Sequence, residues 1–237
     1  MLEPDTGERM AAADTKPSTD GRSLRWAQHR MQRRAGFVAA GIEAIDKFGP
    51  DAHAEQIAEV AGVSRTVLYR YFRDREDLRD AIADKTINSV VESVLPHLMI
   101  SPEATPRQII TKTVNEIVGW FDEHPNLYSF LRSRRGGPGL DTVENTLADR
   151  VATLLKVFLV LFGLDTEQAE PGAYGIVGLV ESSGAWWLAK RTMPREQFTR
   201  FVCDSVWHLL DGHARANGIV IGYDAPLPLG GPVATSP

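Results

Sequence analysis

The residues best suited to chemistry fall within a short stretch, IAEVAGVSRTVLYRYF, at positions 57–72. Ile57, Val60 and Ala61 supply apolar contacts, and Ala58 is small where two helices must approach steeply. Gly62 can take a tight-turn conformation closed to bulkier residues, Val63 plugs the corner, and Ser64 can cap the next helix. Val67, Leu68, Tyr71 and Phe72 can anchor that second helix inward, which leaves Arg65, Thr66 and Tyr69 facing out at its start. A buried back and a polar N-terminal face are what a helix needs to enter the major groove of DNA. Upstream, Arg33 and Arg34 end a run of arginines over 22–34 that contains no Asp or Glu. That run suits phosphates or the minor groove, and it reads equally as a solvated helix face.

The elements that must position these residues are all helical. A long helix is predicted from Ser23 to about Phe48, ended by Gly49-Pro50. Short helices follow at 53–60 and 65–71, then a helix over 75–94 with Asp74 as its cap and Asp77 three residues on. Further helices are predicted at 107–123, 125–134, 142–162 (with Asp141 as cap), 171–191 and 194–217. The expected fold is all-α: an N-terminal helix-turn-helix domain plus a larger helical ligand-binding and dimerisation domain, nine helices in all. The expected divisions are a disordered arm at 1–21, the DNA-binding domain at 22–95, the larger domain at 96–217 and a Gly/Pro-rich tail at 218–237.

Composition excludes several classes. With 43% apolar and 24% charged residues, the chain is not wholly disordered. A net charge of −5 does not exclude nucleic-acid binding, because local clustering of basic residues matters more than the total. Cys203 is the single cysteine, so no internal disulfide can form. The polar first 21 residues lack the apolar core of a signal peptide, and no apolar run reaches membrane-spanning length. A cytoplasmic location is expected. The six histidines form neither an HExxH pattern nor a cluster with carboxylates, and no glycine-rich phosphate loop follows a strand. No catalytic, metal or cofactor site is expected.

The segment 33–79 resembles the N-terminal domain of the TetR family of transcriptional regulators. The positions that carry the likeness are Ile57, Ala58, Ala61, Gly62, Val63, Ser64, Leu68, Tyr69, Tyr71, Phe72, Arg75, Glu76 and Leu78. The family often caps its second helix with Ser or Thr; here Asp51 or His53 must serve. The resemblance implies that Ser64, Arg65 and Thr66 contact bases or nearby phosphates, that Tyr69 and Tyr71 contact the backbone, and that Arg75 binds a phosphate. Arg65 is the expected reader of guanine, since its fork matches O6 and N7.

Control is expected from the second half. Gly175, Gly178, Ser182 and Ala185 follow 3/4 spacing on one helix, and Phe198, Phe201, Val202, Ser205 and Leu209 make a stripe on the next. Two such helices per subunit would form a four-helix homodimer interface, as the resemblance implies; the stripes also read as internal core. Trp120, His124, Phe130, Leu155, Phe158, Glu181, Trp186 and Trp187 are candidates for a largely apolar pocket with a few orienting polar groups. The expectation is a dimeric repressor of a near-palindromic DNA operator, released by a hydrophobic or amphipathic small-molecule effector. The alternatives are an activator or corepressor-dependent regulator, and a helical protein-interaction adaptor.

Overall fold

The computed structural model describes residues 20–99, 101, 103–134 and 140–227. The arm at 1–19, the loop at 135–139 and the tail beyond Leu227 lie outside them. Among the described residues nine α-helices run in the order α1 (Asp20–Phe48), α2 (Ala54–Val60), α3 (Arg65–Leu68), α4 (Arg75–Val94), α5 (Pro106–Glu123), α6 (Pro125–Arg132), α7 (Leu140–Leu161), α8 (Ala169–Lys190) and α9 (Arg195–Ala216). One 3₁₀ turn, Leu95–Leu98, extends α4, and the described residues form no β-strand.

α1 and α4 form the frame of the first part. Phe37, Ala44 and Ile45 of α1 are buried against Leu78, Ile82 and Ala83 of α4 at helical spacing. Gly41 lets the two axes approach: a side-chain carbon there would overlap the tip of Ile82. α2 ends in a Schellman turn, with Gly62 at φ 64° and the Val63 N–H donating to the Ala58 carbonyl at 2.9 Å. His53, rather than Asp51, stands at the cap of α2, where its N–H donates to the Gln56 side chain at 2.8 Å.

Most boundaries shift from expectation by one to three residues, Ser23 lying inside α1 rather than at its start, and the shifts in α3, α5 and α7 concern the last turn, the cap and the first turn respectively. The recognition helix is α-helical only over Arg65–Leu68; Arg70 and Tyr71 then donate three residues back, to Val67 and Leu68, so its last turn is tightened. α5 begins at Pro106 because Thr105 and Gln108 form a reciprocal capping box, both bonds at 3.2 Å. α7 begins at Leu140, which puts Asp141 inside the first turn instead of at the cap.

α5–α9 form a bundle onto which α4 packs. Trp187 stacks on Phe198 at 4.8 Å, and its indole N–H donates to the Met193 carbonyl at 2.9 Å. The apolar core has no break between the first part and the bundle: one cluster runs from Phe37 through α4 to Phe121, Leu131 and Val143. Arg79 does not face solvent as its charge suggests. It is buried, stacked over Phe130 at 4.7 Å.

Asp77 fastens α1 to the start of α4. It accepts from the Arg34 guanidinium at 3.1 Å and from the Arg73 N–H at 2.9 Å, and its own N–H is capped by Asp74 at 2.8 Å. The backbone bond from Arg73, reinforced by the charges of Arg34 and Arg73, holds its carboxyl below the usual aspartate range. A lowered folded value means stability that is present above the ordinary value and lost on acidification. Replacing Asp77 by Ala is expected to cost about 1–3 kcal/mol at neutral pH in denaturant unfolding. The two proteins should converge as the pH falls below about 4.

Candidate nucleic-acid interface and effector cavity

The reading edge is exposed as its sequence requires. Ser64, Arg65 and Thr66 are all exposed at the N-terminal end of α3, and Leu68 beneath them is fully buried. Ser64 occupies the cap position, yet its hydroxyl makes no capping bond, so it stays available to DNA. Tyr69 is half-buried beneath Arg65, whose guanidinium lies 5.4 Å above the ring. Tyr71 is also half-buried and packs edge-on against Phe37 at 5.0 Å.

The arginines divide by partner. Arg65 donates to Glu55 of α2 at 2.6 Å, with both side chains more than half exposed. This pair holds the guanidinium fork at the exposed N-terminal end of α3, and as an exposed ion pair it costs little to open. Glu55 itself is held below the ordinary carboxylate range, first by its own backbone and then by Arg65. Sequence reasoning did not single out Glu55, since it lies on the other helix of the pair. Arg75 is exposed at the first position of α4, beside the Asp74 cap. Arg33 is exposed with its guanidinium 5.7 Å from the Phe37 ring. Arg34, expected at a phosphate, is instead directed at Asp77 and lies 4.6 Å over Phe72.

Two apolar cavities occupy the bundle. The inner one, about 150 Å³, is walled by Val90 and Val94 of α4, Leu98, Trp120 and Phe121 of α5, Val143 and Glu144 of α7, and Val180 and Glu181 of α8. The outer one, about 840 Å³, lies between the start of α5, the end of α7, the start of α8, the end of α9 and the chain after it. Of the expected pocket residues, Trp120, Leu155 and Glu181 line the inner cavity, and Leu155 and Phe158 the outer. The other four lie elsewhere. Phe130 and Trp187 are buried in the bundle core, consumed by Arg79 and Phe198. Trp186 points to the surface, and His124 faces α1, with Nδ1 2.8 Å from Asp46. Adjacent tryptophans on a helix face different ways, which is why only one of this pair is buried.

Contacts link the cavity wall to the first four helices. The Tyr128 hydroxyl of α6 donates to Glu181 at 2.9 Å; burial and that carboxylate both push its phenol pKa up. At the end of α6, Arg134 pairs with Glu76 and Asp80 of α4. At its start, Asn126 donates to the Asp46 carbonyl of α1 at 2.8 Å. α6 therefore touches the cavity wall, α1 and α4 together.

The expected dimer stripe separates into two sets. Gly175, Gly178 and Ser182 of α8 and Phe201 of α9 are exposed, as are Tyr174 and Trp186 beside them; Ser205 and Leu209 are half-buried. A side-chain carbon added at Gly175 or Gly178 would meet open space. Ala185, Phe198 and Val202 are buried within the chain and offer no area to a partner. Their 3/4 spacing is shared by the core face of the same helices, so spacing alone did not sort them.

A turn-separated helix pair with an exposed arginine edge, on an all-helical bundle with internal cavities, defines a helix-turn-helix regulator. Residues 37–82 match the pattern "Bacterial regulatory proteins, tetR family", and residues 97–219 match "Tetracyclin repressor-like, C-terminal domain". The chain is 30% identical over 216 residues to an uncharacterized HTH-type transcriptional regulator of Mycobacterium tuberculosis, covering 89% of this chain and 90% of that one. A tetR-family transcriptional regulator from Streptomyces coelicolor has the same fold, with TM-score 0.65, 17% identity, and 78% and 83% of the two chains covered. So does the transcriptional regulator FadR from Bacillus subtilis in complex with stearoyl-CoA, with TM-score 0.60, 14% identity, and 75% and 98% covered. The chain belongs to the TetR family of transcriptional regulators. It is a regulator and not an enzyme.

Two substitutions separate base reading from backbone anchoring. Arg65→Ala is expected to cost about 1–3 kcal/mol on a selected binding sequence and much less on random DNA. Arg75→Ala should weaken both evenly and flatten the salt dependence by about one phosphate contact. Fluorescence anisotropy across a salt series measures both effects; equal losses for Arg65→Ala on the two DNAs would remove it as the reading residue.

Proposed function

We propose that the protein is a dimeric, ligand-responsive repressor of transcription that acts in the cytoplasm. Two recognition edges bind a near-palindromic operator, with half-sites roughly 34–36 Å apart. Ser64, Arg65 and Thr66 read or flank the bases, and Tyr69, Tyr71, Arg75 and Arg33 hold the backbone. Arg34 reaches a phosphate only by sharing its charge with Asp77.

The observation that carries this reading is the double use of α4. Its N-terminal turn presents Arg75 beside the recognition segment, and its C-terminal half supplies Val90 and Val94 to the inner cavity wall. A hydrophobic or amphipathic ligand that prefers an α4 position in which the two recognition edges no longer fit the operator lowers operator affinity, and operator lowers ligand affinity by the same factor. A bound ligand in a family-fold neighbour, the stearoyl-CoA complex of FadR, supports small-molecule control.

The dimer forms on the exposed face of α8 and α9: Tyr174, Gly175, Gly178, Ser182 and Trp186 with Phe201, and with Ser205 and Leu209 at its margin. The small residues let the helices of two copies approach, and the aromatic side chains supply apolar area.

An unbiased selection of bound DNA, followed by anisotropy with and without a hydrophobic extract, tests the repressor reading. Release on addition of ligand is expected; tighter binding would make the protein a corepressor-dependent regulator. Gly178→Arg is expected to give monomers by light scattering, with the thermal midpoint within a few degrees of the parent for the isolated subunit and operator affinity lower by at least tenfold. A dimer that survives this change places the interface elsewhere.

A further inference from the structure

The two cavities are arranged end to end. On α7 the inner one is lined by Val143–Leu155 and the outer one by Leu154–Phe162. The same order holds on α5, α8 and α9, where residues near one end of the bundle line the inner cavity and residues near the other end line the outer. Ile109, Ile110, Leu154, Leu155 and Leu210 line both and form a waist. From Val143 to Phe162 the combined space follows α7 for about 30 Å, at about 1.5 Å per residue.

Neither chamber alone suits an effector. The inner chamber touches α4, but its 150 Å³ is below the roughly 300–1,000 Å³ of ordinary ligand pockets. The outer chamber has the volume, 840 Å³, but no residue of α4 lines it. Only a molecule occupying both has both the buried area for affinity and the contact that moves α4.

The chemistry of the walls narrows that molecule further. No Lys or Arg lines either chamber, and the residues around the inner one are apolar apart from Thr113, Trp120, Glu144 and Glu181, whose polar atoms contribute almost nothing to its surface. Polar side chains gather at the far end of the outer chamber, where Gln168, His213 and Asn217 offer hydrogen bonds. That end is covered by the chain after α9. Ile219, Ile221 and Leu227 face the chamber, and the segment is fastened by a two-bond Arg107–Asp224 pair and by Tyr223 stacked on Trp207 at 4.4 Å.

We propose that the two cavities are one channel for a single long-chain amphiphile with an uncharged polar head. The head lies beside Gln168, His213 and Asn217 beneath the C-terminal segment, and the hydrocarbon tail passes the Leu155 waist to reach Val90 and Val94. This rests on the ligand-responsive reading above for its consequence on DNA, but not for the binding itself.

Calorimetry with the full-length protein and 1-monoacylglycerols of increasing chain length tests it, with fatty-acid salts of equal length as charged comparators. Affinity is expected to rise by up to about fourfold for each added methylene, the worth of a buried CH₂, until the channel is full. The monoacylglycerols should bind at least tenfold more tightly than the carboxylates. Leu155→Trp and Leu155→Phe should stop this rise at a shorter chain, and Leu155→Ala should not; unchanged thermal midpoints show which variants are folded. No binding, binding indifferent to length, preference for the carboxylates, or a waist variant that binds the longest chains as the parent does would each overturn the channel. Length-dependent, waist-sensitive binding that leaves operator affinity unchanged upholds the channel and removes the repressor-release reading instead.

Discussion

The burial of α4 on two sides is the constraint on which the rest of the molecule depends. Leu78, Ile82 and Ala83 must be covered by α1, and Val90, Val91 and Val94 by the bundle. One rigid helix cannot satisfy both without holding the recognition segment and the cavity wall in a fixed relation. The apolar core consequently runs unbroken from Phe37 to Val143. Gly41 permits the close crossing with α1, and Asp77 fixes its angle through Arg34.

Electrostatics near the DNA edge is arranged by partners as much as by placement. The module has many arginines, yet Arg34 and Arg79 serve the fold, one against Asp77 and the other over Phe130. Arg65 remains at the edge but is held by Glu55, an exposed pair that DNA can open at small cost. The Glu55 carboxylate also lowers the net positive charge of this exposed edge. α6 extends the same logic into the bundle: it joins Glu181 at the cavity to Asp46 on α1 and to Glu76 and Asp80 on α4.

The fold was largely legible because helices are written locally. The spacing of apolar residues, the Asp74 cap and the Gly49, Gly62 and Gly163 stops lie within a few residues of the boundaries they set. The misread boundaries were equally local but subtler. The Thr105–Gln108 capping box places the start of α5 one residue earlier than apolar spacing does, and nothing in the sequence near Tyr71 separates an α-helical from a tightened last turn. The exposed polar edge was legible for the same reason: Ser64, Arg65 and Thr66 are exposed and Leu68 is buried within one short helix.

The sequence alone determined the helical order, the turn at Gly62 and the polar edge at Ser64–Thr66, since each depends on neighbours along the chain. Tertiary structure decided which of several equivalent faces each helix buries. A 3/4 stripe on α9 contains both Val202, which is core, and Phe201, which is exposed, and a tryptophan pair on α8 contains one of each. It also decided the partners of His124 and Arg34, which lie 78 and 43 residues from the groups they meet, and the burial of Arg79 over Phe130. The chambers themselves are spaces between six helices, α4 to α9, and the segment after the last. Periodicity marks a side chain as buried, but only the packing of all the helices leaves a volume unfilled beside it.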